Sequence, residues 1–247
     1  MKNEEFSNQF DLLVNSYRRF RDFDDKEAPD TIEFDEYEKS LYLTKAQEEI
    51  ILSLYNGRNS SLQSFEETEE LRRYLSNLIK EAELAPIVTT DGKPLGMEST
   101  SKFFTLPEDL WFITYESVLL GEGKCESHTS MEVIPVRQDE YHRLKKNPFR
   151  GANDRRALRL DLSEGNVEII CKYPVSEYYV RYLKKLRPII LEDMPNGVTI
   201  GGVGSETPSE VHEGLHQKIL EMAVQMAMQS KLGSTSTTRN NTNNNRE

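Results

Sequence analysis

The chain has 247 residues, of which 36% are hydrophobic and 30% are charged, and its formal net charge is -11. A chain of this length can bury a core without cross-links, and its two cysteines, Cys125 and Cys171, lack the spacing of a disulfide framework or a metal site. There is no apolar run of a signal peptide, and no segment reaches the roughly 18 apolar residues of a membrane span. We therefore expect free thiols in a protein that is made and kept in the cytoplasm.

The charge is unevenly distributed along the chain. Residues 1–83 carry 20 acidic against 11 basic residues, and residues 84–136 carry 8 against 3. Residues 137–187 reverse the sign, with 13 basic against 7 acidic residues, and residues 188–247 return to 7 acidic against 4 basic. Charge complementarity sets partner choice and register, so such a chain can stack on copies of itself. A solvated surface without a partner is the alternative.

The first third of the chain is predicted to be helical. Apolar residues recur at helical spacing over 4–19 and again over 34–55. Ser64 and Glu67 have the spacing of a capping box. They predict a third helix that begins at Ser64 and runs to about Ala82.

The middle of the chain is predicted to form an antiparallel sheet. The predicted strands cover 111–120, 131–136, 157–161, 167–173, 178–183 and 188–191. A short helix over 138–146 lies among them. Ser163-Glu164-Gly165-Asn166 has the composition of a hairpin turn between two of the strands.

An amphipathic helix over 210–231 is predicted to close the fold. Residues 233–247 contain no hydrophobic side chain, so we expect a tail that is disordered or ordered only by a partner. The predicted class is α+β. The domain prediction is a single domain over 1–232, helical over 1–83 and mainly β over 100–192.

One segment of the chain matches a catalytic motif. His212-Glu213-Gly214-Leu215-His216 matches H-E-x-x-H, which in zinc peptidases places two imidazoles on one face of a helix. Gly214 would disfavour that helix by roughly 1 kcal/mol relative to Ala, and no histidine follows His216. Packing or an interface explains the two histidines better, and a zinc peptidase is a distant alternative. Phosphate-binding and G-x-S-x-G motifs are absent, so the sequence predicts no catalytic residue, cofactor or metal.

Basic residues of the middle region are the candidate contact residues. Three arginines lie in a polar loop between a predicted helix and a strand, and arginine suits both phosphates and carboxylates. Three further basic residues lie on or after a tyrosine-rich strand. The candidates for contact with a partner or with passing DNA are Arg150, Arg155, Arg156, Arg181, Lys184 and Lys185.

Several stretches between Phe6 and Lys231 carry a resemblance to a known family. They are residues 34–40, 43–49, 65–75, 106–111 and 146–151, the tyrosine-rich strand ending at Arg187-Pro188, and Leu215-His216 with Ile219-Leu220 and Ala223-Val224. These stretches resemble the ring (adaptor) proteins at the portal–tail junction of crAss-like Bacteroides phages. The element order is more distantly similar to the tubular adaptors of podovirus tails. Gly214 and the Asn-rich tail depart from the family pattern.

The resemblance implies a virion structural protein without enzymatic activity. It implies a closed ring of about twelve copies that binds the portal or a neighbouring tail ring, with double-stranded DNA passing through without sequence specificity. Assembly in the host cytoplasm, no cofactor and no membrane contact are expected. The alternatives are a head-completion or tail-assembly chaperone and, more distantly, a small acidic regulator.

Overall fold

The computed structural model describes residues 1–21, 33–57, 68–87, 101–121, 130–147 and 149–243, with the backbone alone for 17–21, 196 and 232–243. The chain divides into two compact units, residues 1–78 with 186–247 and residues 79–185. The first unit is helical and the second is built on a sheet, which confirms the predicted α+β class. The single domain over 1–232 stays a prediction.

The described elements follow one another in an order close to the predicted one. The helices are α1 (Asn3–Arg21), α2 (Glu36–Tyr55), α3 (Glu69–Leu75), α4 (Gln138–Lys145) and α5 (His216–Asn243). The strands are β1 (Ile79–Leu84), β2 (Lys102–Thr105), β3 (Leu110–Leu120), β4 (Ser130–Pro135), β5 (Arg156–Asp161), β6 (Asn166–Ile170) and β7 (Val175–Lys184). The helices predicted over 4–19, 34–55 and 138–146 are confirmed.

The core of the helical unit lies where α1 and α2 pack on α5. A capping box begins α2, since Asp35 accepts the N–H of Glu38 while the Glu38 carboxylate accepts the N–H of Asp35. The apolar stripes predicted by the helical spacing face inward. The buried side chains include Phe6, Phe10 and Val14 of α1, Leu43, Ile50 and Ile51 of α2, and Ile219, Leu220 and Ala223 of α5.

The strand predicted over 188–191 is wrong. Only Ile190 forms a bridge, to Thr207, and the neighbouring backbone groups of Ile189 and Leu191 bond to side chains of α2. Thr44 Oγ1 accepts the N–H of Ile189 at 3.1 Å, and Ser40 Oγ accepts the N–H of Leu191 at 3.1 Å. The segment therefore lies extended in the core without a neighbouring strand.

The third predicted helix is shorter than expected. Thr68 accepts the N–H of Leu71 and begins α3, which ends at Leu75 and continues as a 3₁₀ turn to Leu78. The proposed capping box of Ser64 and Glu67 lies outside the described residues. Residues 79–82, predicted as helix, belong to β1, because this segment pairs along its length with β7. Tertiary pairing overrides the helical pattern here.

The last helix begins later and extends further than predicted. Residues 213–215 form a 3₁₀ turn, and α5 starts at His216 rather than at 210. Its backbone continues to Asn243, through most of the polar segment. Residues 244–247 lie outside the described residues. The end of this helix has no apolar residue to stabilise it. The ordering of this segment by a partner stays a prediction.

The sheet of the second unit has the order β1-β7-β3-β4-β5-β6-β2. The prediction of a purely antiparallel sheet is wrong in one place, since β4 and β5 run parallel and the chain crosses between them through α4. The other described pairs are antiparallel. Edge strand β2 was not predicted. The hairpin between β5 and β6 is confirmed, and Glu164 and Gly165 have the positive φ angles (58° and 71°) that its turn requires.

The sheet curls so that its two edges meet. Ile87, just past β1, donates its N–H to the Phe103 carbonyl of β2 at 2.8 Å. Across the interior, the ring of Phe104 on β2 lies 5.3 Å from the ring of Tyr178 on β7. The interior holds most of this unit's apolar side chains, among them Val118, Met131, Val133, Ala157, Val167, Ile169 and Val180. Helix α4 covers part of the outer face through Tyr141, packed with Leu158, Leu160 and Ile170.

Three polar side chains are buried inside the curled sheet. Glu116 Oε2 accepts hydrogen bonds from Arg159 Nη1 at 2.9 Å and from the hydroxyl of Tyr178 at 2.5 Å. Glu116 is 7% exposed, Arg159 9% and Tyr178 0%. Burial raises the pKa of Glu116, against the opposing effect of Arg159, and burial also raises the pKa of Tyr178. Glu116 therefore has two hydrogen-bond donors where water is excluded, while Arg159 Nε lies 3.0 Å from Asp161 Oδ1 without a hydrogen bond among the described residues.

Cys171 is a buried thiol on the same interior side and forms no disulfide within the described residues. Burial raises its pKa. Its Sγ lies 3.9 Å from the sulfur of Met131. Cys125 lies outside the described residues.

Candidate assembly surfaces

The turn between α4 and β5 presents an aromatic side chain among arginines. Phe149 is 85% exposed, the highest value among the large hydrophobic side chains of the described part of the chain. Its N–H donates to Asn147 Oδ1 at 2.9 Å, and its carbonyl accepts from Arg156 Nη1 at 3.1 Å. The Asn147 carbonyl also accepts the N–H groups of Arg150 and Gly151. The exposed ring is therefore held on a hydrogen-bonded backbone.

Arg150, Arg155 and Arg156 lie together around this turn, as predicted. Arg150 and Arg155 are exposed, and Arg156 is half-buried at the start of β5. Asn153 Oδ1 accepts the N–H of Arg155 and fixes that part of the loop. We call Phe149, Arg150, Arg155 and Arg156 the basic turn. Its contact with a partner or with DNA stays a prediction.

The other three candidate contact residues lie apart from the basic turn. Arg181 lies on the outer face of β7, directly opposite Glu81 on β1 and Tyr115 on β3. Arg156 shares that face but is three strands away, about 14 Å at the usual strand spacing. Lys184 and Lys185 lie at the end of β7.

An ion pair lies near that end of β7. Asp109 accepts from Lys80 Nζ at 2.6 Å and from the Tyr182 hydroxyl at 2.9 Å. The hydrogen bond from Lys80 holds the pKa of Asp109 below its usual value. Burial, together with this carboxylate, raises the pKa of Tyr182 to about 12. The carbonyl of Asp109 also accepts the N–H of Lys185.

The H-E-x-x-H segment does not have the geometry of a zinc site. His212 lies before the 3₁₀ turn, where its Nδ1 accepts the N–H of Gly214 at 3.1 Å. His216 is 5% exposed, and its Nε2 lies 3.0 Å from the Val211 carbonyl. Its Nδ1 lies 2.7 Å from the amino nitrogen of Met1. Because a carbonyl only accepts, Nε2 carries the proton and Nδ1 is the acceptor.

Both histidines therefore serve packing, and burial lowers the pKa of His216. The described residues hold no group of three or more His, Cys, Asp or Glu side chains placed to bind a metal ion. Gly214 was predicted to lie inside the last helix, but it lies in the 3₁₀ turn before α5. A Cβ on Gly214 would lie 2.9 Å from Cε1 of Tyr74, so a larger residue here would have to displace that ring.

A second surface, on the helical unit, is acidic and was missed by sequence reasoning. It is an open groove of about 420 Å³ lined by Asn3, Glu4, Ser7, Asn8, Glu36, Leu191, Glu192 and Glu206. Four of these side chains are carboxylates and none is basic. They come from four separate segments of the chain, so no local sequence motif predicts the groove.

Part of this negative charge is uncompensated. Glu36 Oε1 accepts from Lys39 Nζ at 2.9 Å, and Glu206 Oε1 accepts from Asn3 Nδ2 at 2.9 Å. Glu4 and Glu192 are exposed and have no ion-pair partner within the described ranges. Asn3 is 5% exposed, and its Oδ1 has no hydrogen-bond donor there either. The groove therefore carries negative charge that the described residues compensate only in part.

An exposed apolar side chain continues this surface along α1. Leu12 is 70% exposed. It follows Asn8 by four residues and Glu4 by eight, and residues at this spacing lie on one face of a helix. We call Glu4, Asn8, Leu12, Glu192 and Glu206 the acidic face.

Comparison with known proteins identifies the family. The family profile described as "Phage tail ring protein 3/4" matches residues 1–240. The chain belongs to this family. It is 45% identical over 215 residues to "Ring protein 3" of Bacteroides phage crAss001, covering 86% of this chain and 88% of that protein. It is 28% identical over 221 residues to "Ring protein 4/5" of the same phage, covering 86% of each chain.

The expected resemblance to crAss-like phage ring proteins is thereby confirmed. This ring protein is a structural component of the phage virion. Of the described helices, none combines the length and apolar content that crossing a bilayer requires.

Proposed function

We propose that this ring protein forms a closed ring of about twelve copies at the portal–tail junction, with DNA passing through its centre. The observation that carries the proposal is the 45% identity to Ring protein 3 along most of both chains. Closed cyclic assembly needs a head-to-tail interface that joins two different patches of each subunit. The basic turn and the acidic face are two such patches, of opposite charge.

Within the stack, we place this chain at the position that Ring protein 3 occupies in its own phage. Its identity to Ring protein 3 exceeds its identity to Ring protein 4/5, 45% against 28%, over stretches of similar length. Its partners are then copies of itself, the portal or a neighbouring ring, and passing DNA contacted without sequence readout. Arg181, Lys184 and Lys185 are the candidates for that DNA contact, and the role involves no catalysis.

Native mass spectrometry of the purified protein, alone and mixed with the portal of its own phage, tests the ring. We expect a closed ring of about twelve copies, or a complex with the portal in matched stoichiometry. A monomer that binds neither the portal nor any neighbouring tail protein would contradict the proposal.

The purified virion distinguishes the ring from a tail-assembly chaperone. We expect the protein in intact particles at a fixed ratio to the portal, measured by quantitative mass spectrometry. A chaperone acts before completion and would be missing from finished particles. Cross-linking within the virion then identifies the neighbouring rings.

A further inference from the structure

Two exposed apolar side chains of this protein each lie beside charges of opposite sign. Phe149, 85% exposed, projects from the basic turn, and Leu12, 70% exposed, continues the acidic face. These are the two highest exposures among the large hydrophobic side chains that the structure describes. Exposed aromatic and aliphatic groups flanked by charges are typical of interaction sites, where aromatic residues and arginine dominate the binding energy.

We propose that the basic turn of one subunit docks on the acidic face of the next copy of this chain. In this contact the Arg150 guanidinium enters the groove between Glu4, Glu192 and Glu206, and Phe149 packs against Leu12. The inference rests on the proposed ring and names the head-to-tail contact that closes it. The two patches differ, as a cyclic interface requires.

The hydrogen-bonding groups of the two surfaces match. The acidic face offers the carboxylate oxygens of Glu4, Glu192 and Glu206, which are acceptors. A guanidinium offers five donors and no acceptor, so arginine fits this groove better than a group that both donates and accepts. The described carboxylates are not placed to bind a metal ion instead.

The exposed ring and the hydrogen-bonded backbone of the basic turn also favour a protein partner over DNA. DNA backbone contacts need cations but provide no apolar surface for an exposed phenylalanine ring. The turn is held by hydrogen bonds to Asn147 and Arg156 before any partner binds. A pre-formed turn loses little conformational freedom on docking, which favours binding.

Two variants separate the two halves of the contact. The turn variant carries Phe149→Ala and Arg150→Ala, and the face variant carries Glu4→Lys and Glu192→Lys, so the altered turn and the altered face do not attract each other by charge. All four side chains are exposed and have no hydrogen-bond or ion-pair partner among the described residues, so both variants are expected to fold. We expect each variant alone to need at least tenfold higher concentration than the wild type to assemble, because hot-spot losses exceed about 1.4 kcal/mol.

Mixing the two variants gives the decisive result. The turn variant keeps its acidic face and the face variant keeps its basic turn, so one intact contact can form between them. We expect the mixture to give a one-to-one dimer that cannot grow into a ring, measured by native mass spectrometry. Lys218→Ala makes the same charge change as the turn variant, and Glu48→Lys with Glu213→Lys makes the same charge change as the face variant, at exposed sites elsewhere; these are the matched controls. Both controls should assemble like the wild type.

Each other outcome overturns a defined statement. If both variants form rings at wild-type concentrations, or if the mixture stays monomeric, the docking contact is wrong although the ring stands. If the turn variant keeps its ring but loses binding to a random duplex, the basic turn is a DNA contact and the inference fails. If the wild type forms no ring alone or on its portal, the proposed function itself fails, and the inference with it.

Discussion

The helical unit and the sheet unit bury polar groups in different ways. In the helical unit, neutral side chains of α2 bond to the backbone of residues 187–191, an extended segment without a strand partner. In the sheet unit, charged side chains bond to one another inside the curl, with Glu116 held between Arg159 and Tyr178. The helical unit also buries the charge of Lys39, but its partners Asp11 and Glu36 are partly exposed, whereas both partners of the pair in the sheet unit are buried.

This difference predicts different sensitivities. Removing a neutral side-chain partner leaves one backbone group unsatisfied, which costs about 1–3 kcal/mol. Removing one member of a buried ion pair leaves a charge in a poorly solvated interior, which costs about 3–5 kcal/mol. The sheet unit should therefore be the more fragile of the two to a single polar substitution.

Arg159→Met should have the largest effect. It removes the guanidinium that compensates Glu116, and we expect the free energy of unfolding to fall by about 3–5 kcal/mol in urea denaturation. Arg143→Met is the matched control, because its partner Glu140 lies 3.4 Å away on an exposed surface, and it should change stability by less than about 0.5 kcal/mol.

The double variant with Glu116→Gln sharpens this test. Removing the carboxylate charge should return part of the lost stability, since the uncompensated charge causes the loss. If Arg159→Met costs less than about 1 kcal/mol, or if Glu116→Gln adds to its loss, the buried pair does not stabilise the unit as argued.

Thr44→Val should have the next largest effect. Valine keeps the shape but cannot accept the N–H of Ile189 or donate to its carbonyl. We expect a loss of about 1–3 kcal/mol in the same measurement. Thr105→Val on β2 is the control, since this hydroxyl bonds to Asn166 on an exposed surface and should matter by less than about 0.5 kcal/mol. Equal losses at the two sites would remove the distinction between the buried and the exposed hydroxyl.

The pH dependence of stability should show the smallest effect, centred on His216. Burial lowers the pKa of His216 from 6.5 in the folded chain, so the unfolded chain takes up its proton at higher pH than the folded chain does. Stability is therefore full above pH 6.5 and falls as the pH is lowered below it. Glu116 acts in the opposite direction, because its raised pKa stabilises the fold on acidification.

Comparison with His216→Gln isolates the histidine. Glutamine can still donate to the Val211 carbonyl but does not titrate. The melting temperature of this variant should fall less than that of the wild type between pH 7.5 and 5.5. Exposed His142→Gln is the control and should follow the wild type. Parallel curves for His216→Gln and the wild type would mean that His216 does not contribute to the pH dependence.

The sequence by itself determined the elements whose signals are local. Helical spacing predicted α1, α2 and α4, and β-rich stretches predicted the long strands β3 and β7. The hairpin at Glu164 and Gly165 was predictable from the composition of its turn, in which Gly165 readily takes the positive φ angle that Glu164 adopts only at a cost. The family was also recognisable, since matching stretches extend along most of the chain.

Only the tertiary structure decided which distant segments meet. Residues 79–84 became a strand because β7 offered a partner, and residues 187–191 remained outside the sheet because Ser40, Thr44 and Gln47 of α2 satisfied their backbone. The ring of Tyr74 packs closely against Gly214, and four separate segments of the chain line the acidic groove. Local spacing records the preference of each segment for helix or strand, but the partner of a buried polar group is chosen by packing between residues far apart in sequence.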